Sequence, residues 1–309
     1  INSMIWRPCS QKFRQRFRHI MRHWNTKRPN VLDASLVKHA VHLVCRLQNG
    51  WRRQLHYLDA DREDNMNSIM KSLYHRKSVR VYEDRPVSDE LKNEILDAAM
   101  QAPSAGCQQL YTILDITDPN LKDALAETCD HQPFIAKAPV VLVFCADCKK
   151  WYDTYLEADC EPRLPGAGDL MLAVTDAVIA AQNAVVAAES LGLGSCYIGD
   201  IMENCEEQRR ILNLPEYVFP AAMLVFGWPT QQQMDRQKPQ RCERKHIVHE
   251  NTYRSMNGEE LREMFAHQCK NRSFEEWCQA FCQRKYNSDF SREMTRSVEE
   301  YLKQFQKTE

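Results

Sequence analysis

Residues 170–201 read LMLAVTDAVIAAQNAVVAAESLGLGSCYIGDI, and the order of features within them narrows the fold. The segment from about Asp169 to Ser190 is Ala-rich and apolar almost all round, interrupted by Asp176, Gln182 and Asn183. That pattern predicts a helix buried on most faces, with a second subunit as one cover, rather than a bilayer span. Gly192 follows as its C-cap. In GLGSCYIGDI (192–201) glycines then alternate with apolar residues, a composition that lets backbone approach a flat ligand closely. These glycines follow a helix, not a strand, and no GxGxxG occurs in the chain. A doubly wound dinucleotide-binding domain is therefore disfavoured.

Working outward, SIMKSLYHR (68–76) has the spacing of a short helix, and HRKSVRVY (75–82) carries it into an extended segment ending near Pro86. Ser88 is an N-cap for a second helix, Asp89 and Glu90 suit its positive end, and Leu91, Ile95, Ala98 and Ala99 form its apolar stripe. Pro103 and Gly106 end it. LYTILDI (110–116), APVVLVFCAD (138–147) and AAMLVFGWP (221–229) read as strands, and a helix is expected from Cys205 to about Leu212. The basic run RQKPQRCERKH (236–246) reads as a loop because of Pro239. Three amphipathic helices close the chain. The last bears Phe290, Met294, Val298, Tyr301, Leu302 and Phe305 on one stripe, which must dock on its own core or a partner's.

The length of 309 residues allows one large domain or two, and 43% hydrophobic with 27% charged residues fits a globular protein rather than a disordered or membrane chain. Thirteen cysteines are an odd number, in a chain that is neither short nor led by a secretory segment, so a reducing cytoplasm is expected rather than a disulfide framework. The one CxxC, Cys145 to Cys148, lacks a second pair at zinc spacing, and no metal is expected. Cys278 and Cys282 are one helical turn apart and read as small packed residues. Residues 1–65 hold 13 Lys and Arg against 5 Asp and Glu, leaving 28 against 37 beyond them. Such a basic arm could grip an anionic surface or act as a transit segment. Met66 opens the orderly pattern, however, so 1–65 is expected to be a basic extension, not native or dispensable, with no nucleic-acid or membrane role. The expected division is 1–65, a catalytic domain over 66–256, and a helical extension over 257–309.

Two basic clusters, each at an element boundary, could converge on one phosphate. Arg76 and Arg80 would offer fork-shaped bonds, Ser78 a neutral donor, and Lys238 and Arg241 the opposite side. Taken alone, such basic pairs at helix ends are usually solvated dipole partners.

As an ordered set, the motifs resemble the FMN-dependent nitroreductase family. HRKSVRVY resembles its opening Arg-x-Ser-x-Arg motif, APSAGCQQLY its Pro-Ser-x-x-Asn-x-Gln loop, GLGSCYIGDI its glycine-rich flavin loop, and KPQRCERKHIVHENTY its phosphate-binding tail. The likeness runs over about 66–256, and VHEN points to the NAD(P)H oxidoreductase branch. The resemblance implies an α+β fold: a mixed, mainly antiparallel sheet sandwiched by helices, in an intertwined homodimer with FMN at the interface. It implies that Arg76 and Ser78 hold the FMN phosphate opposite Lys238 and Arg241, and that Arg80 stabilises charge at N1 and O2. Ser104, Gly106 and Gln108 would line the ring from the other subunit. Gln132 would bond the pyrimidine edge, the N–H groups of Ile198 and Gly199 would face O4 and N5, and Lys77 and Tyr197 complete the set.

Three positions depart from the family pattern. Cys107 stands where many relatives carry Asn, and Leu110 and Tyr111 replace Pro-Trp. Because flavin N5 is the reactive centre, no catalytic side chain is required, and His75, His131, His246 and His249 read as scattered polar residues. The activity implied is ping-pong hydride transfer from NAD(P)H to a small-molecule acceptor: a quinone, nitroaromatic or free flavin. Reductive dehalogenation and a non-catalytic flavin-binding role are the alternatives on the same scaffold.

Overall fold

The computed structural model describes residues 66–307. Contacts divide the chain into Ile1–Met66 and Asn67–Glu309, and the expectations for 1–65 lie outside the described residues. The helices are α1 (Ser68–His75), α2 (Asp89–Met100), α3 (Pro119–Thr128), α4 (Pro133–Ala136), α5 (Lys149–Glu157), α6 (Ala167–Ser190), α7 (Cys205–Ile211), α8 (Gln231–Asp235), α9 (Arg244–Ile247), α10 (Gly258–Cys269), α11 (Phe274–Lys285) and α12 (Asp289–Leu302). The strands are β1 (Tyr111–Asp115), β2 (Val140–Asp147), β3 (Gly194–Ile198) and β4 (Val218–Gly227).

The sheet runs β1-β2-β4-β3, with every neighbouring pair antiparallel. The expected mixed character reduces to one isolated parallel bridge, Ser78 to Ser195. β2 and β4 are buried throughout because both faces of the sheet are covered. Side chains alternate between two cores. Leu142 and Phe144 face α2 and α6, while Val141, Val143 and Cys145 face α3 and α4. Pro220 is tolerated mid-strand because the β2–β4 register shifts beside Phe144 and Cys145.

Ser88 caps α2 by accepting from Leu91 N–H at 3.4 Å. α6 is long and apolar enough to cross a membrane by length and composition, but its stripe from Leu170 through Ala173, Ala177, Ala180, Ala184 and Ala188 is buried in the core. Its outer face exposes Met171, Leu172 and Val178. Gly192, at φ 83°, ends the helix: Leu193 N–H bonds back to Ala188 O at 2.9 Å.

The chain departs from the sequence-based expectations in several places. GLGSCYIGDI is not a loop throughout, since Gly194–Ile198 forms β3. The basic run ends in the short helix α9. α3, α4, α5 and α8 have no counterpart in the reading above; α3 and α4 begin on prolines, which suit a first helical turn. α12 docks on its own core: Tyr301 meets Phe219 edge-on at 5.0 Å, and Ser297 Oγ accepts from Cys205 N–H at 2.9 Å. Cys278 is exposed rather than packed, and all the described cysteines are free. Cys145 and Cys148 belong to opposite cores, and burial pushes both thiols up to about 12.

Candidate functional site

Helix α1 ends at His75, Arg76 caps it with non-helical backbone, and the next residues run along the edge of β3. Val79 N–H donates to Ser195 O at 2.9 Å. This approach requires Gly194, where an added Cβ would stand 2.5 Å from Val79 Cγ2. The expectation that these glycines all admit a flat ligand is thereby corrected. Gly194 admits Val79 and Gly192 turns the helix end, whereas Gly199 opens onto free space.

The second basic cluster returns to the same place. Arg80 N–H donates to Gln233 Oε1 at 3.3 Å. The Lys77 ammonium donates to the carbonyls of Met234 and Arg236, and the Arg236 guanidinium to Ser78 O. Lys238 Nζ donates to Leu73 O at 2.9 Å and Tyr74 O at 2.8 Å, occupying the negative end of α1. Arg76 and Lys238 therefore share one face. Burial first, then Arg241 and Arg76, hold Lys238 below its ordinary range, with Glu189 opposing them. Arg76 stands 5.9 Å over the Tyr197 ring, and its Nε is buried with no hydrogen-bond partner. Tyr197 donates to Gln182 Oε1 at 3.3 Å, and burial pushes its phenol up to about 12.

Toward the other end of β3, exposed Arg80 reaches the Phe134 ring at 5.9 Å, beside the start of α4. Gln132 precedes that helix; its amide donates to Cys129 O at 2.8 Å, so its Oε1 is left as an acceptor. Burial raises the Cys129 thiol, and Asp200, next to Ile198 and Gly199, lies close enough to add to that rise. The α3–α4 turn and the end of β3 thus adjoin. Nearby Glu203 is buried, and burial followed by Asp200, Asp130 and Glu293 pushes it up to about 7.

Ser104, Gly106 and Gln108 form a separate group. Their loop is bound to the middle of α6 by Asp176, a buried carboxylate that accepts from Ala105 N–H at 3.0 Å and Leu110 N–H at 3.2 Å. Ser104 Oγ accepts from Gln109 N–H at 3.0 Å. Gly106, Cys107 and Gln109 all have positive φ. The loop borders a cleft of about 500 Å³ lined by Gln108, Leu110, Trp151, Tyr152, Pro162 and Leu172, among others. Asp176 lies 13 residues before Glu189 on α6, a separation of about 20 Å at 1.5 Å per residue. One protomer therefore keeps this loop well apart from the Arg76–Lys238 group. Sequence reasoning missed both Asp176 and Glu189, although each was visible as an acid in an apolar helix, where an ionised group needs a partner.

The nitroreductase family model matches residues 73–228. An FMN reductase [NAD(P)H] from Bacillus subtilis (strain 168) is 32% identical over 76% of this chain and 91% of its own length. An oxygen-insensitive NADPH nitroreductase from Salmonella typhimurium is 35% identical over 62% of this chain and 77% of its own. The solved structure of B. megaterium NfrA2 superposes with a TM-score of 0.67 at 30% identity, covering 76% of this chain and 98% of that one. On family match, sequence and fold together, the chain belongs to the nitroreductase family.

Proposed function

We infer that the protein is an FMN-dependent NAD(P)H oxidoreductase that passes hydride to a small-molecule acceptor. The observation that carries this reading is the convergence of Arg76, Lys238 and Arg241, with Ser78 on the segment that bridges to β3, within a chain whose relatives are named FMN reductases and NADPH nitroreductases. The residues fit the cofactor. Arg76 Nε is a buried donor without an acceptor, and Lys238 has one of its three N–H groups left after its two carbonyl bonds. A phosphate dianion would satisfy both with charge-assisted bonds.

When bound, FMN supplies the hydride-accepting and hydride-donating centre at N5. The chain's task is to hold and polarise it. Arg76 and Ser78 would hold the phosphate against Lys238 and Arg241, with Lys77 and Tyr197 bracing that grip. Arg80 would supply positive charge toward the pyrimidine edge, and Gln132 Oε1 an acceptor there. The N–H groups of Ile198 and Gly199 would serve as donors to the ring's O4 and N5. NAD(P)H and the acceptor would use one exposed face in turn, a ping-pong cycle.

The roughly 20 Å along α6 between Asp176, which holds the loop, and Glu189, which adjoins the cations, supports a homodimer in which Ser104, Gly106 and Gln108 complete the partner's site. Exposed Met171, Leu172 and Val178 on α6 support the same arrangement, since apolar residues clustered on one helix face mark an interface. In this reading 66–256 is the catalytic domain, 257–309 a helical extension, and the protein is cytoplasmic.

The test is Arg76→Ala combined with Arg241→Ala. The purified variant should be colourless, while wild type is yellow, bleached by NAD(P)H and restored by a quinone. Full flavin retention in the variant removes the phosphate assignment, and converging rather than parallel steady-state lines remove the shared-face cycle.

A further inference from the structure

Glu189 occupies the last turn of α6, the negative end of a helix whose last turn holds no basic residue. Its half-buried carboxylate is faced by Arg76 and Lys77 from the segment after α1 and by Lys238 from the tail. Arg241 acts on Lys238 from the same tail, and Tyr197 of β3 stands against Arg76. The Glu189 carboxylate nevertheless closes no ion pair or hydrogen bond among the described residues. The cations' donors point elsewhere: those of Lys77 and Lys238 to carbonyls, while Arg76 Nε has no partner. Burial raises the Glu189 carboxyl even though the three cations oppose that shift.

A carboxylate that stands among cations without bonding them adds little to folding, but it does subtract from the positive field any incoming anion meets. Resting on the phosphate reading above, we propose that Glu189 is the internal counter-charge of this cradle and determines how tightly it holds a phosphate monoester. Ionised Glu189 repels the dianion and loosens it, whereas protonated Glu189 does not. Binding of the dianion therefore favours proton uptake at Glu189, and affinity falls as pH rises through its titration. This residue makes the cofactor's phosphate exchangeable where a purely cationic cradle would retain it.

The test titrates the full-length chain with FMN and with riboflavin from about pH 4, below the ordinary range of a glutamate, to about pH 8.5, following flavin fluorescence, for wild type and Glu189→Gln. The ratio of the wild-type to the variant Kd for FMN should be near one at the acid end and rise to about tenfold at the alkaline end, as expected for one charge in a half-buried site. Taking the ratio cancels the phosphate's own titration. Riboflavin, which has no phosphate, should give a ratio of one throughout. Glu189→Asp, which keeps the charge, should retain the wild-type pH slope. A flat FMN ratio, an equal effect on riboflavin, or an Asp variant behaving like Gln overturns the inference. Arg76→Ala separates the two levels of the argument. If it weakens FMN but not riboflavin while Glu189→Gln has no effect, only the counter-charge role fails; if it leaves FMN affinity unchanged, the phosphate reading itself fails.

Discussion

Asp176 makes the sharpest test of how the loop from Ser104 to Leu110 is held. Its side chain is only 3% exposed, and its two oxygens accept from Ala105 N–H and Leu110 N–H. Leu110 is itself buried, whereas Ala105 is half-exposed. Replacing Asp176 with Ala leaves Leu110 N–H without an acceptor in a dry setting, at a cost of about 1–3 kcal/mol. Water can reach Ala105 N–H, so only the difference between a charge-assisted bond and a hydrated one is lost there, about 1 kcal/mol. The expected total is about 3 kcal/mol. Asp176→Asn keeps one acceptor oxygen and the shape, and should cost about 1 kcal/mol. Urea unfolding at fixed protein concentration measures both, the concentration being held because association would shift the midpoint. Hydrogen exchange at Ala105 and Leu110 should quicken in the Ala variant more than at β2 amides. If the Ala variant unfolds within about 0.5 kcal/mol of wild type, the range of inert surface changes, the carboxylate is not what fixes the loop.

Three further outcomes follow from single features. Cys107 is exposed at φ 56°, a conformation Asn and Gly adopt more readily, so Cys107→Asn should stabilise by about 0.5 kcal/mol, read as a raised Tm. A lowered Tm would show that the thiol makes a compensating contact. Gly194→Ala drives a Cβ into Val79 and should cost about 2 kcal/mol. Adding Val79→Ala should not relieve it, because Val79 Cβ alone is 2.7 Å away, whereas Val79→Gly should; equal rescue by both breaks the close-approach argument. Glu203 titrates at about 7 in the fold against an ordinary 4.5. Its contribution is therefore fully present below pH 4.5 and lost as pH rises through 7. Glu203→Gln should match wild type near pH 4.5 and exceed it at pH 8 in urea unfolding by about 2 kcal/mol, the rise from 4.5 to about 7 corresponding to roughly 3.4 kcal/mol before solvent screening reduces it; a gap independent of pH would place the burden elsewhere.

The sequence by itself determined those elements whose signal is local. The N-cap at Ser88, the Ala-rich α6 with its glycine stop, the strong strand β2 and the stripe of α12 all follow from caps, propensity and periodicity, which depend on residues a few positions apart. The ordered motifs likewise carried the family. β3 was not legible, because its glycines imitate a loop until Val79 is seen packed on Gly194. Nor were the targets of the lysines. Lys77 and Lys238 read in sequence as cofactor-binding cations, yet both donate to carbonyls from distant segments. Only the tertiary structure could bring Arg76, Glu189 and Lys238 onto one face, and only it could part that group from the Asp176-held loop by the length of half a helix. The physical reason is that a field at one point sums charges over space, while a propensity sums over neighbours along the chain.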